Sequence, residues 1–152
     1  MENASKALIM AGGVLIGILI LSLAAYLFVD LGSTSAEINA KNAQKQITEF
    51  NSKFTSYEGY YTVDEHGNKI WQITIYDIIT LVGYAKENNK YYEEVNDEKI
   101  DVKIGTHSAL NDSDIYLINN YGYADDQGTL KKYMCYNIGY NSRGKVNSIT
   151  FQ

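Results

Sequence analysis

The sequence predicts an α+β protein: a long N-terminal helix, hydrophobic and then amphipathic, followed by a small C-terminal antiparallel sheet domain. Three observations lead to this prediction. An uncharged apolar stretch occupies positions 7–29, apolar residues at helical spacing follow it, and short β-rich segments separated by turn residues make up the remainder. We therefore expect an N-terminal helix at 1–57 and an extracytoplasmic α+β domain at 58–152.

Composition excludes several kinds of site. The 13 Lys and Arg residues against 18 Asp and Glu residues give a formal charge of −5, which argues against nucleic-acid binding. A single cysteine, Cys135, excludes an intrachain disulfide and a zinc site made of several cysteines. The absence of proline permits long uninterrupted helices.

The stretch 7–29 is predicted to be a transmembrane or filament-core helix. Its length corresponds to roughly 35 Å of helix, enough to cross the hydrocarbon core of a bilayer. Lys6 and Asp30 bracket it, and Tyr26 and Phe28 suit a membrane interface. A cleaved signal peptide, with small residues at 33–36 as the cleavage site, is the less favoured alternative. The slight positive bias before the stretch predicts a cytoplasmic N-terminus and a C-terminal domain outside the cell.

Small residues one helical turn apart mark possible helix-packing faces in this stretch. Gly13 and Gly17 form one such pair, and Ala7 and Ala11 form another. Small side chains let two helix backbones approach closely, so these pairs suggest specific self-packing. The alternative is that Gly and Ala are simply common in membrane spans.

The segment 30–57 is predicted to extend the helix as an amphipathic rod. Apolar residues recur at alternating spacings of four and three: Ala36, Ala40, Ala43, Ile47, Phe50, Phe54 and Tyr57. The small residues Ala36, Ala40 and Ala43 suit close helix contact, and Gly59 is a stop signal. Positions 32–35 favour caps over helix interiors, so two helices joined by a hinge are the alternative to the favoured single helix.

The first half of the domain contains a predicted hairpin and a predicted helix. Strands at 60–63 and 69–73 flank the turn 64–68. Thr74 and Asp77 match a capping box, and the helix is expected to continue to about Asn88. Its predicted buried face consists of Ile75, Ile78, Ile79, Val82 and Ala85.

The second half is predicted to contain most of the sheet. Segments 91–95 and 100–104 suggest a second hairpin, and 112–114 cap a short helix that ends near Asn120. Segments 131–140 and 145–151 are β-rich and flank the turn 141–144. The expected domain therefore has four to six antiparallel strands packed against helices.

Two histidines lie near residues with which they could form a site. His66 follows Asp64 and Glu65, so a two-ligand metal site is conceivable, but a solvated hairpin turn is favoured. His107 lies near Ser108 and Asp112, and a Ser-His-Asp arrangement would require a convergence in space that the sequence does not indicate. We predict no catalytic residue, no metal site and no cofactor.

Cys135 and two acidic segments can each be interpreted as structural or as functional. Cys135 lies within a predicted strand, so a buried structural role is favoured over a reactive thiol. The segments 111–114 and 125–126 offer oxygen ligands for calcium but lack a distal glutamate. Helix capping and solvated loops are favoured for them.

Tyrosine is unusually frequent, with 14 residues, most of them in the predicted domain. Tyrosine suits wet interfaces because it combines apolar area with a polar tip. Packing against the sheet, or codon bias, explains the frequency equally well. The segment 121–128 is expected to be an exposed loop, which makes Tyr121 and Tyr123 the first candidates for a contact surface.

This order of apolar helix, amphipathic helix and small sheet domain resembles type IV pilins and pseudopilins. The resemblance implies that the N-terminal helices bundle in a filament core with the domains outside. It also implies a registry role for an acidic residue near the helix start, for which Glu2 is the candidate, although Glu2 can also pair with Lys6. The opening MENASKAL is in addition similar to small uncharacterised membrane-anchored proteins of low-GC Gram-positive bacteria, which implies no activity.

Three functional hypotheses follow. The favoured one is a structural subunit of a pilin-like bacterial surface filament, with copies of itself as partners. The second is a single-pass membrane protein whose outer domain binds a partner in a secretion or surface apparatus. A membrane-tethered enzyme is the least favoured, because no catalytic motif is apparent.

Overall fold

The computed structural model describes residues 2–125 and 127–152. They form an α+β structure, which confirms the predicted fold class. In chain order the elements are α1 (Glu2–Thr55), β1 (Tyr61–Val63), β2 (Lys69–Trp71), α2 (Ile75–Tyr91), a 3-10 turn (Asn96–Glu98), β3 (Asp101–Ile104), β4 (His107–Ser108), a second 3-10 turn (Ala109–Asn111), α3 (Asp114–Tyr121), β5 (Cys135–Tyr140) and β6 (Val146–Phe151).

Helix α1 has no break at positions 32–35, so the favoured single helix is confirmed and the hinge is wrong. The hydroxyl of Ser33 donates to the carbonyl of Asp30 at 2.9 Å. This back-bonding leaves the helical backbone bonds in place, where capping would have interrupted them. The helix ends at Thr55, and turns continue to Gly59. The expected end near Tyr57 was thus two residues too late.

The chain divides into two compact units, one up to Lys45 and the other from Gln46 to Gln152. The first unit is helix alone, and its described side chains are almost all exposed. The second contains the last turns of α1 and all the later elements. Its core is made of buried apolar side chains: Phe54, Ile73, Ile75, Ile78, Leu81, Val82, Ala85, Ile100, Val102, Ile104, Ala109, Leu117, Tyr133, Val146, Ile149 and Phe151.

Strands β1 and β2 form the predicted first hairpin, in the register Thr62 to Ile70. The carboxylate of Asp64 accepts hydrogen bonds from the backbone of His66 (2.9 Å) and Asn68 (2.8 Å). A side-chain hydrogen bond from Asn68 also helps to lower the pKa of Asp64. Hydrogen bonds to the carboxylate of Asp64 therefore stabilise the hairpin turn, as expected for aspartate in turns.

Helix α2 begins as predicted and ends later. Asp77 accepts hydrogen bonds from the backbone N–H (2.8 Å) and the hydroxyl (2.9 Å) of Thr74, which tie down the first turn. The helix runs past Asn88 to Tyr91, because the side chain of Asn88 is buried with partners in the domain and does not compete for its own backbone. The expected end at Asn88 is therefore wrong.

The predicted hairpin of 91–95 with 100–104 does not form. Tyr91 ends α2, and 92–95 lead through turns into the 3-10 turn Asn96–Glu98. Tyrosine and valine gave this segment β propensity, but the longer helix α2 takes up its start. The strand expected at 100–104 is present as β3 and pairs elsewhere.

The main sheet has the strand order β4-β3-β6-β5 and is mixed. β5 and β6 form the predicted antiparallel hairpin, and β3 pairs with β4 in the same manner. β3 and β6, however, run parallel, with Val102 opposite Ile149, so the wholly antiparallel expectation is wrong. The first strand of the C-terminal hairpin starts at Cys135, four residues later than expected.

The turn between β5 and β6 requires glycine. Gly144 has a φ of +74°, which other residues rarely adopt. The backbone of Asn141 donates to the carbonyl of Lys145 at 2.8 Å and closes the turn. Helix α3 starts where expected, with the hydroxyl of Ser113 accepting from the backbone of Tyr116 at 3.2 Å.

Candidate functional site

The apolar side chains of 7–29 form an exposed surface around helix α1. Leu8 and Phe28 are each 78% exposed, and Leu15 is 67% exposed. This helix is long and apolar enough to cross a membrane by length and composition, and none of its most apolar window is buried within the chain. Such a surface is far larger than soluble monomers usually leave uncovered. By length and composition, this surface is compatible with membrane anchoring.

The predicted helix-packing residues all lie on α1. A methyl group built at Gly13 or Gly17 meets no atom within 4 Å, so each glycine borders open space on the single chain. Ala36, Ala40 and Ala43 are exposed and follow one stripe of the helix. These positions leave room for the backbone of a second helix, and their packing role stays a prediction.

The candidate registry residues pair with each other on the same helix. Lys6 Nζ lies 2.9 Å from Glu2 Oε1, and both side chains are largely exposed. An exposed pair one turn apart contributes little stability. Glu2 can therefore exchange Lys6 for another cation at small cost, and its registry role stays a prediction.

The two candidate contact tyrosines lie in different surroundings. Tyr121 is the last residue of α3, and its ring stacks on His107 with centroids 5.7 Å apart. Its carbonyl accepts from the Tyr133 hydroxyl at 2.5 Å. Tyr123 is 43% exposed and lies in an isolated bridge to Leu130. Thus Tyr121 packs against the domain, while Tyr123 presents its ring to solvent.

The loop after α3 is organised by an aspartate. Asp125 accepts hydrogen bonds from the backbone of Thr129 (3.0 Å) and Gln127 (3.1 Å). The bonds with Thr129 contribute most to the lowered pKa of Asp125. The calcium hypothesis for 125–126 also involved Asp126, which lies outside the described residues.

His107 and Asp112 are in contact, but Ser108, the third residue of the hypothetical catalytic triad, bonds elsewhere. His107 Nε2 lies 2.6 Å from Asp112 Oδ2. The hydroxyl of Ser108 instead donates to Asp101 at 2.5 Å. Neighbouring residues of a strand point to opposite faces, which separates Ser108 from the imidazole. The pair thus connects β4 to the segment before α3.

The remaining candidates are Cys135, the segment 111–114 and possible metal ligands elsewhere. Burial, aided by the charge of Glu58, raises the pKa of Cys135 to about 11, so the thiolate is scarce near neutral pH. The carbonyl of Asp112, in the segment 111–114, accepts from Lys86 at 3.0 Å. Across residues 2–125 and 127–152, no three His, Cys, Asp or Glu side chains are grouped so that they could hold a metal ion.

A buried polar cluster was not anticipated from the sequence. Lys145, Asn88 and Glu98 are 6%, 7% and 3% exposed. Lys145 Nζ donates to Asn88 Oδ1 at 2.8 Å and to Glu98 Oε2 at 3.2 Å. We call these three residues the lysine cluster. Lysine and glutamate usually remain in solvent, so a sequence pattern offers no signal for their burial.

Two further residues complete the surroundings of Glu98. Asn141 Nδ2 donates to Glu98 Oε1 at 3.2 Å, and Arg143 forms an ion pair with the same oxygen. Burial acts to raise the pKa of Glu98, but the hydrogen bonds and charges of Arg143 and Lys145 together lower it below its usual value. Glu98 is thus held as an anion in the interior.

The end of helix α1 is bonded to the domain beside this cluster. Asn51 Nδ2 donates to the carbonyl of Gly144 at 2.7 Å, and Asn51 Oδ1 accepts from the backbone of Val146 at 2.8 Å.

Comparisons with protein-family models, curated proteins and solved structures found no match. The functional interpretation therefore rests on the surfaces and contacts of this chain.

Proposed function

We propose that this protein is a structural subunit of a pilin-like bacterial surface filament, assembled by packing of the N-terminal helices. The observation that carries the proposal is helix α1 itself. It continues without interruption from an exposed apolar stretch into an amphipathic segment whose last turns belong to a folded domain. A domain on such a helix suits a filament with an apolar core and a polar outer layer.

The apolar stretch supplies the driving force for assembly outside the bilayer. Burial of one exposed leucine or phenylalanine side chain contributes about 1.5–3 kcal/mol. Leu8, Leu15 and Phe28 are each more than two thirds exposed, and most of their neighbours are similar. Several such side chains per copy outweigh the entropic cost of association, which is on the order of 10 kcal/mol.

Close packing would decide how the copies fit together. In lipid the hydrophobic driving force between helices disappears, so small residues and polar pairs determine association. Gly13 and Gly17 would allow close approach within the apolar stretch, and Ala36, Ala40 and Ala43 would allow it beyond. Glu2 would fix the registry between copies by exchanging its pair with Lys6 for a cation of a neighbour.

The alternative is a single-pass membrane protein with a partner-binding outer domain. Two observations favour it: the length of the apolar stretch matches a bilayer, and Tyr123 is exposed on the domain. A hydrogen bond with Tyr123, with charge interaction between the two, raises the pKa of Tyr76, and both tyrosine side chains are exposed. The partner would belong to an assembly or secretion apparatus.

Imaging and extraction distinguish the two functions. Surface material sheared from cells is labelled with an antibody to the domain and viewed by electron microscopy. Labelled filaments are expected for the subunit, whereas a detergent-extracted monomer or small complex is expected for the anchored protein. Gly13→Ile with Gly17→Ile should prevent filament formation, and Gly12→Ile, about 100° away from Gly13 around the helix, is the matched control.

A further inference from the structure

The lysine cluster brings an amine, a carboxamide and a carboxylate together in the interior of the domain. Lys145 Nζ lies 2.8 Å from Asn88 Oδ1 and 3.2 Å from Glu98 Oε2. All three side chains are more than nine-tenths buried. An amine held against an amide oxygen is close to the carbon on which it could react, and proximity of this kind accelerates reactions greatly.

Aromatic rings cover the amine and separate it from solvent. Lys145 Nζ lies 4.4 Å from the ring centroid of Phe50 and 4.3 Å from that of Tyr92. Water that could hydrate the ammonium group or hydrolyse an intermediate has little access to such a pocket.

The two other members of the cluster are oriented for a reaction. Asn88 Nδ2 donates to the backbone carbonyl of Glu98 at 2.7 Å, which fixes the plane of the amide. Glu98 Oε1 is occupied by Asn141 and Arg143, so Oε2 remains directed at the amine. An anionic carboxylate in this position is within the reach required of a general base.

We propose that Lys145 and Asn88 form a covalent amide cross-link, with Glu98 as the catalytic residue that transfers the protons. Glu98 accepts a proton from the ammonium group, and the neutral amine attacks Cγ of Asn88. A bond forms between Nζ and Cγ, and the bond between Cγ and Nδ2 breaks. Glu98 passes on the two protons that the lysine loses, and Nδ2 departs as ammonium.

The balance of this step requires no oxidant, reductant or co-reactant. A lysine ammonium and an asparagine amide become one secondary amide and one ammonium ion, so charge and atoms are conserved. The product joins α2 to the residue before β6 and closes a loop between positions that are 57 residues apart. A covalent closure of this length restricts the unfolded chain, as a disulfide does.

The cross-link is independent of the proposed function. A filament subunit and an anchored protein would both accommodate it, since every member of the cluster lies within the unit Gln46–Gln152. Its test is a mass measurement that does not depend on assembly.

Intact mass spectrometry of the purified full chain in denaturing solvent tests the proposal. The expected mass is that of the sequence less one ammonia molecule. Protease digestion should release a branched peptide that joins Lys145 to Asn88. A succinimide at an asparagine loses the same mass but leaves only linear peptides, so the branched peptide identifies the cross-link.

Variants separate the roles of the residues. Lys145→Arg and Glu98→Gln are expected to show their full sequence masses, with Trp71 fluorescence reporting that the domain is folded. Lys103→Arg is the matched control, because Lys103 also lies beside a carboxylate (Asp101, 3.4 Å) but outside the cluster, and this variant should still lose ammonia. A wild-type chain that keeps its full sequence mass after prolonged incubation and yields only linear peptides would overturn the proposal.

Discussion

Replacement of Phe54 by alanine tests whether the end of helix α1 belongs to the core of the domain. Phe54 is fully buried and packs on Phe50, with ring centroids 5.4 Å apart. Removal of a buried phenylalanine ring destabilises a protein by about 3–5 kcal/mol, because apolar contacts are lost and a cavity remains. For a domain of this size, that loss lowers Tm by at least about 10 °C.

The assay uses the single tryptophan of the chain. Trp71 lies in β2 and packs edge-on against Tyr61 at 5.1 Å, so its fluorescence reports unfolding of the domain and not of the apolar helix. The purified chain is unfolded by denaturant in detergent, and the midpoints are compared. Phe28→Ala is the matched control, since Phe28 lies in the same helix but is 78% exposed.

The expected result is a lower midpoint for Phe54→Ala and an unchanged midpoint for Phe28→Ala. Equal midpoints for wild type and Phe54→Ala would refute the inclusion of the last turns of α1 in the core. A decrease of the unfolding midpoint by the same amount in both variants would mean that Trp71 fluorescence reports unfolding of the whole chain and not of the domain alone.

Three further outcomes are expected. Asn51→Ala should lower the free energy of unfolding by about 1–3 kcal/mol, because two hydrogen bonds to the β5–β6 turn are lost. An unchanged midpoint of denaturant unfolding would contradict a stabilising role for these bonds. The pKa of Glu98 is lowered in the folded state, so the stability that its carboxylate contributes is complete above the unfolded pKa of about 4.5 and is lost as pH falls below that value. In Glu98→Gln, the free energy of unfolding should therefore decrease less at acid pH than in the wild type, and an unaltered dependence of stability on pH would contradict the lowered pKa of Glu98. Cys135 should resist alkylation at pH 8 in the folded protein and react after denaturation, and equal rates in the two states would contradict its raised pKa.

Local patterns accounted for much of the fold. The alternating spacing of Ala36 to Tyr57 predicted the helical extension, and the pair Thr74 and Asp77 predicted the start of α2. The turn 141–144 predicted the hairpin of β5 and β6. Each of these signals lies within a few residues of the element that it specifies, which is why the sequence alone reveals it.

The errors arose where distant residues decide the structure. The end of α2 depends on Asn88, whose side chain finds Lys145 at a separation of 57 residues. The parallel pairing of β3 with β6 is likewise set by elements far apart in the chain. Propensity therefore suggested a strand at 91–95 that the tertiary contacts do not allow.

The candidate contact surface was predicted less completely than the fold. The predicted helix-packing residues all lie on α1, and their packing role stays a prediction. Tyr121 and Tyr123 looked equivalent in the sequence, yet only Tyr123 presents much of its ring to solvent. The lysine cluster was not predicted because Lys145 and Glu98 resemble ordinary surface residues in the sequence, and Lys145 and Asn88 are 57 residues apart.

Electron cryomicroscopy of native surface material would show directly what covers the apolar stretch 7–29. We expect filaments in which these stretches pack together in the core and the sheet domains form the outer layer. A chain recovered solely as monomers or small complexes in the membrane fraction, with no filament that contains it, would refute the proposed filament.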